Sequence, residues 1–231
     1  MKFTFGIVTT DQSQYLNKVI ESIYGMNIPN DRYEIIIIGG DTVKKTKNIR
    51  HFKFDESSKP GWITKKKNLI TKHARYNNIV YMHDYLVFDN YWYEGFKEFG
   101  DNWDICMNKI QNLDKSRYRD WCAWSDPDLC YEGPITLEPK YGYGANHKIV
   151  LPPYTYKKTY FMYISGGYWV AKKYVMEKHP QDETLIWGEG EDLEWSERVL
   201  KSNKYKYKMN THSLISNLKD KRLSAVYLNK E

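Results

Sequence analysis

Apolar residues follow two rhythms along this chain, and the switch between them marks out its elements. Residues 2–9 (KFTFGIVT) are a short run rich in aromatic and β-branched side chains, which predicts a buried strand. After Thr10 the spacing becomes helical: Leu16, Val19, Ile20 and Ile23 fall on one face, and Asp11 with Gln14 forms a capping-box pattern that predicts the helix start. The turn Pro29-Asn30-Asp31 leads into residues 34–38 (EIIII), closed by Gly39-Gly40. Unbroken rather than alternating hydrophobicity predicts a strand covered on both faces, as in a parallel sheet. A weaker strand is expected at residues 49–54. Pro60-Gly61 then breaks the chain before a helix carrying Ile63, Leu69 and Ile70, and residues 78–82 (NIVYM) form the next strand, running straight into His83-Asp84. The first 85 or so residues therefore read as a βαβ alternation.

The second half is less regular. Residues 103–110 read as a strand, and residues 160–171 as a strand interrupted by Gly166-Gly167. Residues 191–201 have helical spacing through Leu193, Val199 and Leu200. Between them, residues 120–156 are rich in Pro, Gly, Asp, Tyr and Trp; loops of that length are usually functional lids or binding segments. Neither a repeat nor a linker divides the chain, so a single domain over residues 1–231 is expected, with residues 1–90 and 91–231 as its two halves.

Composition narrows this picture. The chain is 41% hydrophobic and 28% charged, which is ordinary, but 21 Tyr, 8 Trp and 8 Phe make 16% of it aromatic. Flat aromatic faces suit sugar rings and nucleobases, although AT-rich coding would produce the same excess of Tyr. A net charge of +6 suits an anionic ligand and is too diffuse to argue for nucleic acid. The basic stretch 204–208 reads more simply as a solvated edge strand, where lysines discourage pairing. Cys106, Cys122 and Cys130 have no CxxC spacing, which fits a reducing compartment without a cysteine zinc site. With no leader pattern and no apolar run near the ~20 residues of a membrane span, a soluble cytoplasmic protein is expected.

Two segments carry candidate chemistry. His83-Asp84 lies where a strand ends, and in open α/β sheets ligands sit beyond the carboxyl ends of strands. A carboxylate there can bind a divalent cation, or simply cap a turn. In Trp187-Gly188-Glu189-Gly190-Glu191-Asp192, two carboxylates follow a glycine-rich loop and open a helix. Such a group can take the proton of an attacking hydroxyl; equally, it can serve the helix dipole. His212 is of interest because a lone carboxylate makes a poor cation site. No G-x-G-x-x-G follows the first strand, so dinucleotide binding of the usual kind is not expected.

Together these segments resemble the GT-A glycosyltransferases, particularly the family 2-like group, over most of the chain. FGIVTTDQSQYLNKVIESI is similar to the family's first strand, nucleotide-contacting turn and first helix, and YEIIIIGGDT to its second strand, with Asp41 in place of an acidic pair. GWITKKKNLI resembles its glycine-led helix, with Lys67-Asn68 at the Arg-Asn positions. YMHDYLVFDNYW stands where the family has its DxD motif, Asp84 being the acidic residue of the triplet. Ser165-Gly166-Gly167 resembles the glycine pair beside the donor sugar. WGEGEDLEWSERV is similar to the WGGED segment of galactosyltransferases and polypeptide N-acetylgalactosaminyltransferases.

The resemblance implies an α/β fold with a Rossmann-like mixed sheet flanked by helices, and an irregular acceptor-binding C-terminal half. It implies transfer from a nucleoside-diphosphate sugar, a UDP-sugar, to a glycan or other acceptor hydroxyl, with inversion. Thr9, Asp11 and Asp41 would lie near base and ribose, Lys67 and Asn68 near the diphosphate, and His83, Gly166, Gly167 and Trp187 around the donor sugar. Asp84 and His212 would hold manganese or magnesium, Asp192 would be the base, Glu191 would contact acceptor or donor sugar at the catalytic centre, and Trp121 and Trp124 would roof the acceptor. Two other readings remain: a nucleotidyltransferase, which would need a basic phosphate loop that TTDQSQ is not, and a non-catalytic carbohydrate- or nucleotide-binding module.

Overall fold

The structure is a computed structural model that describes residues 1–10, 13–40, 46–129, 149–219, 221 and 226–227. Its larger sheet has eight strands in the order β3 (Ile49–Phe52), β2 (Tyr33–Ile38), β1 (Phe3–Val8), β4 (Asn78–His83), β10 (Tyr168–Lys172), β6 (Ile105–Gln111), β11 (Tyr207–Asn217) and β5 (Leu86–Phe88). The first four are parallel to their neighbours. β10 enters antiparallel to β4 and to β6, β11 runs parallel to β6, and β5 closes the edge antiparallel to β11. A smaller sheet has the order β12 (Val226–Tyr227), β8 (Ile149–Leu151), β7 (Cys122–Trp124) and β9 (Met162–Tyr163).

Helices cover both faces of the large sheet, which is why β1 and β2 are buried at every position and read as continuous apolar runs. Side chains alternate across a strand. Phe3 and Phe5 turn to α3 (Trp92–Phe99), in an aromatic cluster with Phe88, Trp92 and Phe96 whose contacting rings have centroids 4.4–6.1 Å apart. Gly6 faces the other way, toward α2 (Ile63–His73): a Cβ there would lie 2.3 Å from Ile70 Cγ2. Next to it on the same face, Tyr81 Oη meets Thr71 Oγ1 at 2.7 Å. The remaining helices are α1 (Leu16–Gly25), α4 (Lys173–Lys178) and α5 (Glu191–Leu200).

Two expectations are corrected and a third is narrowed. α1 begins at Leu16 with no side-chain cap, later than the Asp11–Gln14 pattern implied; Gln14 is exposed and Asp11 lies outside the described residues. The run 160–171 is two strands in two sheets, β9 and β10, because the chain reverses at Ser165–Tyr168, where Tyr168 N–H donates to Ser165 O at 3.0 Å. Of the basic stretch 204–208, only Tyr207 and Lys208 are strand: they open β11, paired there with β6 alone, because β5 meets β11 only at Ile215–Asn217. Among the described residues, no helix is long and apolar enough to cross a membrane.

Candidate active site

The site forms where β1, β2 and β4 end. The parallel register sets Val8 beside His83, so the residues that follow, Thr9 and Asp84, meet: Thr9 Oγ1 donates to Asp84 Oδ2 at 2.6 Å. Thr9 N–H donates to Ile38 O at 3.1 Å. Lys66 Nζ donates to Thr9 O at 2.7 Å and pairs with Glu56, which fixes the turn from behind. Gly39 adopts φ 91°, and a Cβ there would lie 2.4 Å from Thr9 O; glycine lets this loop close on Thr9.

Antiparallel β10 delivers the second part. His83 N–H donates to Gly167 O at 3.0 Å, which carries Gly166 to the Asp84 end of β4. There α5 begins, after Gly190 at φ 79°. Asp192 in its first turn accepts Gly166 N–H on Oδ2 and Leu193 N–H on Oδ1, both at 2.9 Å. A Cβ on Gly166 would come within 3.0 Å of Asp192 Oδ2 and 3.1 Å of Glu191 Oε1. Beneath this turn Lys67 Nζ donates to Gly166 O at 3.0 Å, lies 3.7 Å from Glu191 Oε1 and sits 4.6 Å above the Trp169 ring. Both Lys67 and Glu191 are buried. Burial lowers the Lys67 pKa, opposed by Glu191 and Asp192, and raises that of Glu191, opposed by Lys67.

The structure thus brings Thr9, His83, Asp84, Gly166, Gly167, Glu191, Asp192 and Lys67 to one end of the sheet, with Lys67 buried under the glycine turn rather than open to a ligand. Other expected residues stand elsewhere. Asn68 binds Gln181 through its amide and carbonyl, and also Glu183, so it fastens α2 to the 180s loop. Trp187 is 65% exposed on the loop ahead of α5, its N–H bonded to Gly61 O. Trp121 is buried against Tyr207, which makes it core, not a roof. Trp124 is half-buried beside Tyr163. Asp11 and Asp41 lie outside the described residues.

His212 does not join Asp84. Its Nδ1 lies 3.1 Å from Glu98 Oε2 on α3. On β11 it lies in the irregular stretch between Asn210 and Leu214, its backbone packed against Gly95 of α3, whereas Asn217 at the end of the strand pairs with Leu86. Among the described residues, no three His, Cys, Asp or Glu side chains converge as a metal site. Asp84 already accepts Thr9, both Asp192 oxygens accept backbone N–H groups, and His83 Nε2 is enclosed without a hydrogen-bond partner. Burial, reinforced by Lys67, Lys221 and Lys219, holds the His83 pKa well below its ordinary value. Carboxylates so engaged, beside lysines that repel a dication, do not fit a divalent-ion centre.

Sequence reasoning missed Lys219 and Lys221, along with Tyr85 and Arg119. The Tyr85 ring is buried next to Gly167, whose Cβ would lie 3.3 Å from its hydroxyl. Lys221 Nζ lies 4.0 Å and Lys219 Nζ 4.7 Å above this ring, and Lys221 also donates to the hydroxyl. Burial, with Lys219 and Arg119 nearby, lowers Lys221 to about 8. Arg119 lies close enough to Asp192, Tyr85 and Lys221 to shift their charge balance, and its Nε is buried without a partner.

The fold is that of the GT-A glycosyltransferases. S. aureus TarS 1-349 in complex with UDP-GlcNAc superposes over 99% of this chain with a TM-score of 0.60 at 13% identity. GalNAc-T7 with UDP, GalNAc and Mn2+ matches 94% of it, with a TM-score of 0.61 at 16% identity. S. aureus TarS in a longer form also covers 94%, with a TM-score of 0.61 at 13% identity. The chain spans between 36% and 62% of the length of these structures. No protein-family model and no curated protein matches the sequence.

Proposed function

We propose that this GT-A chain transfers a sugar from a UDP-sugar to the hydroxyl of an acceptor, with inversion at C1. One observation carries the reading: Asp192, fixed by Gly166 N–H, lies with Asp84 and Thr9 at the end of the sheet where β1 and β4 finish. That edge is where α/β sheets bind nucleotides. The structural neighbours hold UDP, or a UDP-sugar, on the same fold.

In the reaction, an acceptor oxygen attacks C1 from the face opposite the diphosphate. The C1–O(phosphate) bond breaks and its electron pair leaves with the diphosphate. The hydroxyl proton passes to Asp192, half-buried at the start of α5 and held in orientation by its two backbone donors. Gly166 lets the donor sugar approach backbone, and Asp84 offers a carboxylate to donor hydroxyls. The Mn2+ of the GalNAc-T7 structure has no matching cluster of ligands among the described residues.

Asp192→Asn keeps the shape and removes the base. Turnover of a panel of UDP-sugars with glycan acceptors should fall by about 10²–10⁴-fold while UDP affinity is kept. A variant that retains the original rate ends the assignment of Asp192.

A further inference from the structure

We propose that Lys219, Lys221 and Arg119 neutralise the leaving diphosphate in place of a divalent cation, so that this chain binds its nucleotide without metal. The inference rests on the transferase reading of the same cleft and deepens it. Two ammonium groups stand over one ring: both lie within 4.7 Å of the Tyr85 centroid. Tyr85 directly follows Asp84, and its hydroxyl abuts the Gly167 position. The lysines are therefore anchored at the mouth of the cleft, on the segment immediately after β11, where Leu218 N–H donates to Tyr85 O at 2.8 Å. Arg119 lies within electrostatic reach of Asp192 and Lys221, and its buried Nε has no hydrogen-bond partner.

The charge balance favours an anion. Among the described residues, the carboxylates near these three cations are Asp84, already bonded to Thr9, and Asp192, already bonded to two N–H groups; Glu191 is matched by Lys67. A diphosphate would meet three basic groups there, and guanidinium and ammonium donors make the stronger, charge-assisted kind of hydrogen bond to phosphate oxygens. A dication would meet the same three as repulsion. When the C1–O bond breaks, the negative charge moves onto the diphosphate oxygen, and fixed cations at that point stabilise it as a metal would.

Calorimetric titration of the full chain with UDP and with uridine, in excess EDTA and again with manganese, tests this. UDP should bind in EDTA, with manganese altering its affinity little. Lys219→Met and Lys221→Met should each weaken UDP by about tenfold or more while leaving uridine unchanged, and Lys221→Arg should recover most of the loss. Retained uridine binding also reports that the variants are folded; the EDTA titration of the unaltered chain decides independently of them. UDP binding that requires manganese, or lysine variants that bind UDP at full strength, would overturn the proposal and leave the transferase reading standing. A chain that binds neither UDP nor uridine under any of these conditions would remove both.

Discussion

Gly166 is small because two carboxylates crowd it. Any Cβ would press on Asp192 and Glu191 at about their contact limit, and the oxygen that must move is the one held by Gly166 N–H. Gly166→Ala is expected to cut turnover by roughly a hundredfold through displacement of the base, with a thermal midpoint close to the original; steady-state rates and a melting curve on one preparation check both. Lys67 makes the opposite kind of contribution. Without it, Glu191 keeps the burial that raises its pKa and loses the neighbour that lowers it. A carboxyl with a raised folded-state pKa binds its proton more tightly folded than unfolded, so stability falls as pH climbs from the ordinary carboxylate range through the folded value. Lys67→Met should therefore cost about 3 kcal/mol near neutral pH. Its deficit should shrink toward about pH 5, where the carboxyl can protonate. Urea unfolding at the two pH values measures this, and equal deficits would exclude Glu191 as the source.

At the scale of elements, legibility followed hydrophobic contrast. β1, β2 and β4 are apolar throughout, and their runs of Ile, Val and Phe stand out against flanking Gly, Asp and Asn. β11 was unreadable for the converse reason: YKMNTHSLISN is mostly polar, and its Asn210, Ser213 and Asn217 are buried by hydrogen bonds to neighbouring side chains and backbone that only the folded sheet supplies. Helix α3 and the small sheet escaped notice because their segments are too short to establish a period. The carboxylates of the site were legible as motif positions, but Lys219, Lys221 and Arg119 were not. Three basic residues among 35 carry no local pattern; only their convergence on Tyr85 distinguishes them. His212 misled for a related reason, since spacing along the chain does not reveal which way a bulged strand turns its side chains. The contact between β1 and α2 offers a direct test of element packing. Gly6→Ala should lower stability by about 1–3 kcal/mol through overlap with Ile70. Gly6→Ala with Ile70→Ala should lose less than the sum of the two single changes, as read from urea midpoints.

For the whole molecule, burial isolates chemistry that the surface would leave reactive. Cys106 and Cys122 are fully buried, in the large and small sheets respectively. Burial raises both thiols, Cys122 to about 12, and it is the thiolate that reacts. In a chain with Cys130 replaced by Ser, a thiol reagent should find almost nothing under native conditions and two groups in urea, with labelling that follows the unfolding transition. Rapid native labelling would mean that the sheets open locally.

The antiparallel entry of β10 beside β4 has a further consequence, one that concerns synthesis. A nascent chain released as far as β4 carries five fully or nearly fully buried strand positions, Asn78 to Met82, whose hydrogen-bonding flank waits for a partner some ninety residues downstream. Until that partner leaves the ribosome, the flank is an open, greasy template for any other strand. Stalled or prematurely terminated products of this gene should therefore be far more prone to clump than the finished protein, and more dependent on chaperones while they are being made.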